Sequence, residues 1–342
     1  LKILGRIGFL TVMHIKKRFF GFIDWESKSL IIAELTKKPE INGKILPELP
    51  IHRYFGEIEP VYVKWEIRIT PIHIILFILT GITTTIAGAM MQGISPISKD
   101  VWKGLYFSIP LLFILSCHEF GHIYSMWKHS VKSTFPFFIP APNIVGTFGA
   151  IMVLRERVEK SSEIIRIGSA GPIAGFIAAI PIALIGLKLS NIVDKTQMDD
   201  MLSIKLGTPI ILSLMQNIIF GKLETTKDII LHPVAFAGWI GFFITAMNLI
   251  PIGQTDGGHI IFGLFPKWHR KISFLLVAIL FVLGILFWYG WLFWATLTAI
   301  LGIRKIPYTP IKDIKRSDKI LAAISLIIFI LTFIVSPIQI EF

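Results

Sequence analysis

Residues Leu111 to Met126, LLFILSCHEFGHIYSM, form an apolar run interrupted by His118, Glu119 and His122. Such a run commits this part of the chain to a helix in an apolar environment. Ionisable side chains at lipid depth are costly and carry a functional prior by default. On a helix His118 and His122, four residues apart, share a face, with Glu119 beside the first. Two imidazoles and a carboxylate in H-E-x-x-H order suit a zinc site with an adjacent general base.

Composition identifies the solvent as lipid. Of the 342 residues, 54% are hydrophobic and 16% charged, against about a quarter charged in an ordinary soluble domain. Several runs approach the length of about 20 apolar residues that a bilayer demands. The chain therefore reads as a mainly α, polytopic membrane protein with the lipid bilayer as its surroundings. The net charge of +12 fits lysines and arginines retained on one membrane face better than a nucleic-acid partner, and none is expected. Cys117 is the lone cysteine, so an internal disulfide and a multi-cysteine metal cluster are both excluded. It points about 100° away from His118 around the helix and reads as a packing residue.

The pattern along the chain predicts two domains. Residues 1–70 hold 12 Lys or Arg and 8 Asp or Glu, with aromatic and β-branched stretches around a Pro-rich loop, and read as a small N-terminal α+β region. Residues 1–20 lack a clean apolar core and a small-residue cleavage site, so no secretory signal is expected, and a start at Leu1 fits a fragment or a processed form. Residues 71–342 read as a membrane-embedded domain of about six transmembrane helices. Spans are expected at 72–91, 105–126, 164–187, 233–250 and 320–335, with 273–303 as a tight helical hairpin turning at WYGW. The stretch 128–163 is expected to form a surface hairpin or loop, and 204–220 a short re-entrant or interfacial segment.

Charge orients the bundle. With a cytoplasmic N-terminus, the segments 1–70, 127–163, 251–272 and 304–319 hold 12, 5, 3 and 6 Lys or Arg, against 2 and 5 in 92–104 and 188–232. That bias favours this orientation. It puts His118 and His122 near the cytoplasmic end of their span and brings the segment after Ile250 out on the same side.

Catalytic zinc takes three protein ligands and leaves a fourth position open, so HEFGH needs a partner. Asp256 is the candidate, in the Gly-rich, Pro-interrupted NLIPIGQTDGGH stretch at the end of a span. Gly257 and Gly258 are expected to let the backbone turn and bring the carboxylate close. His232 and His259 read as surface or interfacial, as does His73. The Trp and Tyr cluster at 287–294 reads as packing or an interfacial belt, and Lys312 to Lys319 as a positive loop.

HEFGH on one membrane helix, followed by N-x-x-P-x-G-x-x-DGG at Asn248, Pro251, Gly253, Asp256, Gly257 and Gly258, resembles the site-2 protease family of intramembrane zinc proteases. FGAI, GSAGPIAGF and HPVAFAGWIGFF are similar to its PDZ-lacking prokaryotic and chloroplast branch. The resemblance covers roughly residues 70–305. It implies one Zn2+ per chain held by His118, His122 and Asp256, Glu119 as catalytic base, and Asn248 in substrate positioning or oxyanion stabilisation. It also implies a membrane-protein substrate with a transmembrane segment, and an edge strand within 133–155 to which an unfolded substrate adds. Two positions depart from the pattern. Gly175 stands where many relatives carry Asn, which bears on the polar surroundings of the tetrahedral intermediate, and Thr255 stands where an apolar residue is common, read as neutral.

The implied activity is hydrolysis of peptide bonds in or near transmembrane segments. The expected location is a prokaryotic cell membrane with a cytoplasmic N-terminus, with a chloroplast membrane as the alternative. A metal-ion transporter using the same groups and a catalytically silent binding member of the family are the other readings. Clustering of polar groups at one membrane face disfavours the first, and an intact Glu119 the second.

Overall fold

The computed structural model describes residues 69–195, 205–222, 224, 226–302 and 308–339, together with the strand residues 40, 41, 44 and 45. The α+β region expected over 1–70 lies almost wholly outside the described residues. Within it, β1 (Glu40–Ile41) and β2 (Lys44–Ile45) pair antiparallel. The chain divides into two compact units, residues 1–63 and 64–342.

The second unit is mainly helical. Thr70 precedes α1 (Pro71–Met90), with Pro71 at the first helical position, where its missing N–H costs nothing. A 3₁₀ turn (Lys99–Gly104) runs into α2 (Leu105–Lys128). The β3 strand (Phe137–Pro140) and β4 (Thr147–Ile151) follow, then α3 (Ser161–Lys188). After β5 (Asn191–Asp194) and β6 (Lys205–Leu206) come α4 (Ile210–Phe220), β7 (Lys227–Ile230) and α5 (Pro233–Leu249). The chain continues through α6 (Asp256–Leu264), α7 (His269–Leu286), α8 (Gly290–Gly302), α9 (Arg316–Thr332) and β8 (Ile338–Gln339).

Among the described residues four helices are long and apolar enough to cross a membrane: α1, the 3₁₀ turn joined to α2, α3 and α7. The helices α5, with 17 residues, and α4, with 11, are shorter. The expected hairpin is present as α7 and α8, broken at residues 287–289. Trp291 is fully buried there and donates from Nε1 to Val335 O at 2.7 Å, so that part of the aromatic cluster is packing. Tyr289 is exposed.

The core lies where α2, α3 and α5 meet. Phe107, Leu111 and Ile114 of α2, Ala179, Ala183 and Leu187 of α3, and Ala237, Ile240 and Phe242 of α5 share one buried cluster. The α5 helix is buried over most of its circumference, as expected for a helix apolar on every side. In lipid, helices gain little from apolar burial as such, so association rests on close van der Waals packing between small residues. A methyl on Gly186 would lie 2.1 Å from Ala235 N, and one on Gly238 would lie 2.8 Å from Ala183. Backbone therefore meets backbone between α3 and α5.

The stretch 128–163 forms a hairpin, one of the two forms expected there, with Phe137 opposite Ile151 and Phe138 opposite Ala150. It sits on α1. Thr83 Oγ1 donates to Gly146 O at 2.6 Å, and the Phe77 and Phe138 rings meet edge to face at 5.0 Å. His73 belongs to this contact and is buried, contrary to the interfacial reading. Its Nδ1 lies 2.7 Å from Thr70 Oγ1, and its ring stacks on Phe137 at 4.1 Å. A histidine in the first helical turn looks interfacial until the hairpin that covers it is known.

The Lys312 to Lys319 loop does more than carry charge. Asp313 accepts from Ser162 N and Ser162 Oγ at 2.9 and 2.7 Å, and Asp318, fully buried, accepts from Arg166 Nε at 2.7 Å. These bonds tie the start of α3 to the start of α9. Arg166 is about a quarter exposed, so removing Asp318 leaves a partly buried charge unpaired at a cost of about 1–3 kcal/mol. Asp318→Ala is therefore expected to lower thermal stability in detergent by several degrees. Asp100→Ala, which breaks the exposed Asp100–Lys103 pair, is expected to change it little. Equal melting shifts in the two variants would show that the tie contributes no more than a surface contact.

Candidate metal centre

The helix α2 carries His118, Glu119 and His122 on its buried length, at 3%, 7% and 9% exposure. Their depth is set by α3, whose small residues lie directly against them. A Cβ on Gly171 would fall 2.0 Å from His122 Nε2, and one on Gly175 would fall 3.1 Å from His118 Cβ and Nδ1. From the other helix, a Cβ on Gly121 would fall 2.5 Å from Ala170 O. The small residues of the IGSAGPIAGF stretch admit a close neighbour, the histidine face of α2. Gly175 has a steric meaning as well as a polar one, because the space a side chain would use is partly filled by His118.

The third element enters from α6. Asp256 is the first residue of that helix, directly after the N-cap Thr255. Thr255 is not neutral. Its Oγ1 accepts from Gly258 N at 3.0 Å and donates to Ile250 O at 2.5 Å, so it terminates the preceding loop and starts the helix that presents Asp256. A threonine followed by an acidic residue at a helix start is a readable cap signal. The two glycines also act differently from expectation. Gly253, at φ +57°, makes the turn. Gly257 and Gly258 lie within α6, where side chains would strike Leu249 O at 2.0 Å and Gly253 O at 2.4 Å. They permit close approach.

The three side chains converge. His118 Nε2 lies 3.2 Å from Asp256 Oδ2, His122 Nε2 lies 3.3 Å from Asp256 Oδ1, and the two Nε2 atoms are 3.2 Å apart. Among the described residues this is the group of His, Cys, Asp and Glu donors that could hold a metal ion. Ligands at zinc distances in a tetrahedron are separated by about 3.3 to 3.4 Å, so the triangle has the right size. His122 Nδ1 lies 2.8 Å from Ile167 O. A carbonyl only accepts, so Nδ1 carries the proton and Nε2 keeps its lone pair for a cation, the usual arrangement behind a metal-bound histidine. The donor set fits zinc.

Asn248, half-buried near the end of α5, places Nδ2 3.3 Å from His118 Nε2. The site thus brings together His118, His122, Asp256 and Asn248, with Glu119 buried one residue beyond His118. His232 stands apart as the N-cap of α5, accepting from Val234 N at 3.3 Å. His259 is half-buried on α6 against Gly168, and is not one of the converging donors.

The model for peptidase family M50 matches residues 106–290. The chain belongs to peptidase family M50. This is the site-2 protease family, and the matched segment contains every residue of the converging cluster. The chain is 31% identical over 174 residues to "Probable zinc metalloprotease EGY2, chloroplastic" of Arabidopsis thaliana, covering 49% of this chain and 29% of that protein. It is 33% identical over 160 residues to "Probable zinc metalloprotease EGY1, chloroplastic" of the same plant, covering 46% and 29%. The matches thus span less than a third of these relatives' own length. No solved structure matches the chain.

The packing of α3 on α2 makes a direct prediction. Gly171→Ala sets a methyl against His122 Nε2 and is expected to abolish metal retention, measured as metal per chain in purified protein. Gly81→Ala, whose Cβ would meet only Leu112 at 3.8 Å, is expected to leave metal content unchanged and stability equal or higher by up to about 1 kcal/mol. Undiminished metal content in Gly171→Ala would contradict the described contact.

Proposed function

We propose that this chain is an intramembrane zinc endopeptidase that hydrolyses peptide bonds within or near transmembrane segments of membrane-protein substrates. The observation that carries the reading is the convergence of His118, His122 and Asp256 from two separate helices at zinc-ligand spacing. Membership of peptidase family M50 and the names of the relatives support it. We assign one zinc per chain to these three ligands.

Held by His118, His122 and Asp256, zinc would supply a Lewis acid able to polarise a carbonyl and lower the pKa of a water. Glu119, beside His118, accepts the proton of that water at its carboxylate as the new C–O bond forms. It delivers the proton to the amine that departs when the C–N bond breaks. Asn248 Nδ2 donates a hydrogen bond to the substrate carbonyl oxygen as charge develops there. The tight α2–α3–α5 core fixes these groups. Substrate must be unwound locally, because a helical peptide bond has its polar groups engaged.

The same reading takes residues 71–342 as the protease domain and 1–70 as a separate N-terminal region. It counts α1, α2, α3, α5, the α7–α8 pair and α9 as the membrane elements, about six spans, with α4 re-entrant. The strand pair β3–β4 is the candidate surface for an extended substrate. The relatives' printed names support a chloroplast membrane, whereas a prokaryotic cell membrane draws no support from them. A cytoplasmic or equivalent N-terminal side rests on the charge count alone.

The decisive experiment is Glu119→Gln in the full chain with a membrane-inserted reporter substrate. The variant is expected to retain metal and fold while cleavage falls by at least about 10²-fold. Cleavage at the wild-type rate would remove Glu119 from the chemistry. Zinc uptake into proteoliposomes by the unmodified protein, without any proteolysis, would replace the protease by the transporter reading.

A further inference from the structure

The loop that delivers Asp256 is held from outside the metal cluster. Residues 250–255 connect α5 to α6 and turn at Gly253, whose φ of +57° is accessible at little cost only without a side chain. Both main-chain groups of Gly253 are engaged by α7. Its N–H donates to Ser273 Oγ at 3.1 Å, and its carbonyl accepts from His269 Nε2 at 3.0 Å. Ser273 Oγ in turn donates to His269 O at 2.9 Å.

The three bonds close a ring. Ser273 accepts from Gly253 and donates to His269, and His269 returns an N–H to Gly253. Because a carbonyl oxygen can only accept, the Nε2 of His269 carries the proton. His269 and Ser273 are 5% and 1% exposed, so water does not compete for these bonds. A buried ring with every member satisfied is rigid, and a half-satisfied one is costly. The His269 imidazole is fixed from a second side by the edge of Phe262 of α6, with centroids 5.4 Å apart.

Gly253 is also the surface on which α6 begins. A Cβ at Gly258 would lie 2.4 Å from Gly253 O, so the first turn of α6 rests on the same carbonyl that His269 holds. Asp256 lies in that turn. Any displacement of Gly253 is therefore passed to the Asp256 carboxylate. Metal coordination tolerates ligand displacements of only about 0.2 Å. Neither His269 nor Ser273 is among the converging donors.

We infer that His269 and Ser273 are positioning residues for Asp256, forming a clamp on Gly253 that presets the third ligand of the metal site. The inference rests on the reading of His118, His122 and Asp256 as that site. Metal affinity then depends on α7, a helix that supplies no ligand.

The test is Co2+ titration of the full-length, metal-stripped protein in detergent, followed by the visible absorption of the bound ion and by thermal unfolding of the metal-free form. Ser273→Ala and His269→Leu are expected to bind Co2+ about 10- to 100-fold more weakly than wild type, with an altered absorption band. His269→Gln, which can restore an N–H to Gly253, is expected to recover most of the affinity. Ser108→Ala removes a buried hydroxyl bonded to Thr84, remote from the loop, and is the control for destabilisation alone. Wild-type affinity and spectrum in both Ser273→Ala and His269→Leu would overturn the clamp. So would a loss of affinity no greater than in Ser108→Ala at equal loss of stability. If His269→Leu does not fold, Ser273→Ala decides alone. Wild-type protein that binds no Co2+, or binds it undiminished after Asp256→Ala, overturns the metal-site reading and the clamp with it.

Discussion

The close approach of α2 and α3 is the contact on which the rest of the structure depends. Gly168, Gly171 and Gly175 follow helical spacing along α3, and each meets a different part of the site. Gly168 lies under Asp256 O, Gly171 under His122 and Gly175 beside His118. The stripe acts as a platform. A side chain at Gly171 would displace His122 Nε2, which is a chemical consequence of a packing choice. In lipid this choice serves twice, because small residues are also what allow helices to associate at all.

Around that platform the polar groups are arranged so that each ligand has its own support. His122 is oriented by the Ile167 carbonyl, a main-chain group of α3 itself. Asp256 is presented by a capped helix start on a loop whose tip is bonded to α7. Farther out, Arg166 and Asp318 fasten the same α3 helix to α9. The α3 helix, which supplies none of the converging donors, is thus held against both α2 and α9.

The ionisable residues in or beside the apolar runs were the most legible part of the molecule. His118, Glu119, His122 and Asp256 stand out because lipid makes any ionisable group expensive, so each demands a reason. The membrane helices and the hairpin at 128–163 were legible for a related reason, since lipid-length apolar runs and Pro and Gly breaks leave few alternatives. What escaped was support given by ordinary residues. Ser273 opens an apolar run, Gly253 is one of several glycines in its loop, and Thr255 looked neutral because its part is played through main-chain groups. His73 was misplaced because the strand that buries it lies about sixty residues later in the chain.

The separation of the ligands along the chain has a consequence for biosynthesis. His118 and His122 enter the membrane on α2, whereas Asp256 and the α7 residues that hold its loop are made well over a hundred residues later. A ribosome adding about 5 to 20 residues per second takes many seconds to cover that distance. Through this interval the nascent chain presents two imidazoles without the carboxylate, so the proposed metal site is incomplete. On the proposed reading, a chain made in this order cannot act on other proteins until α6 and α7 have been made.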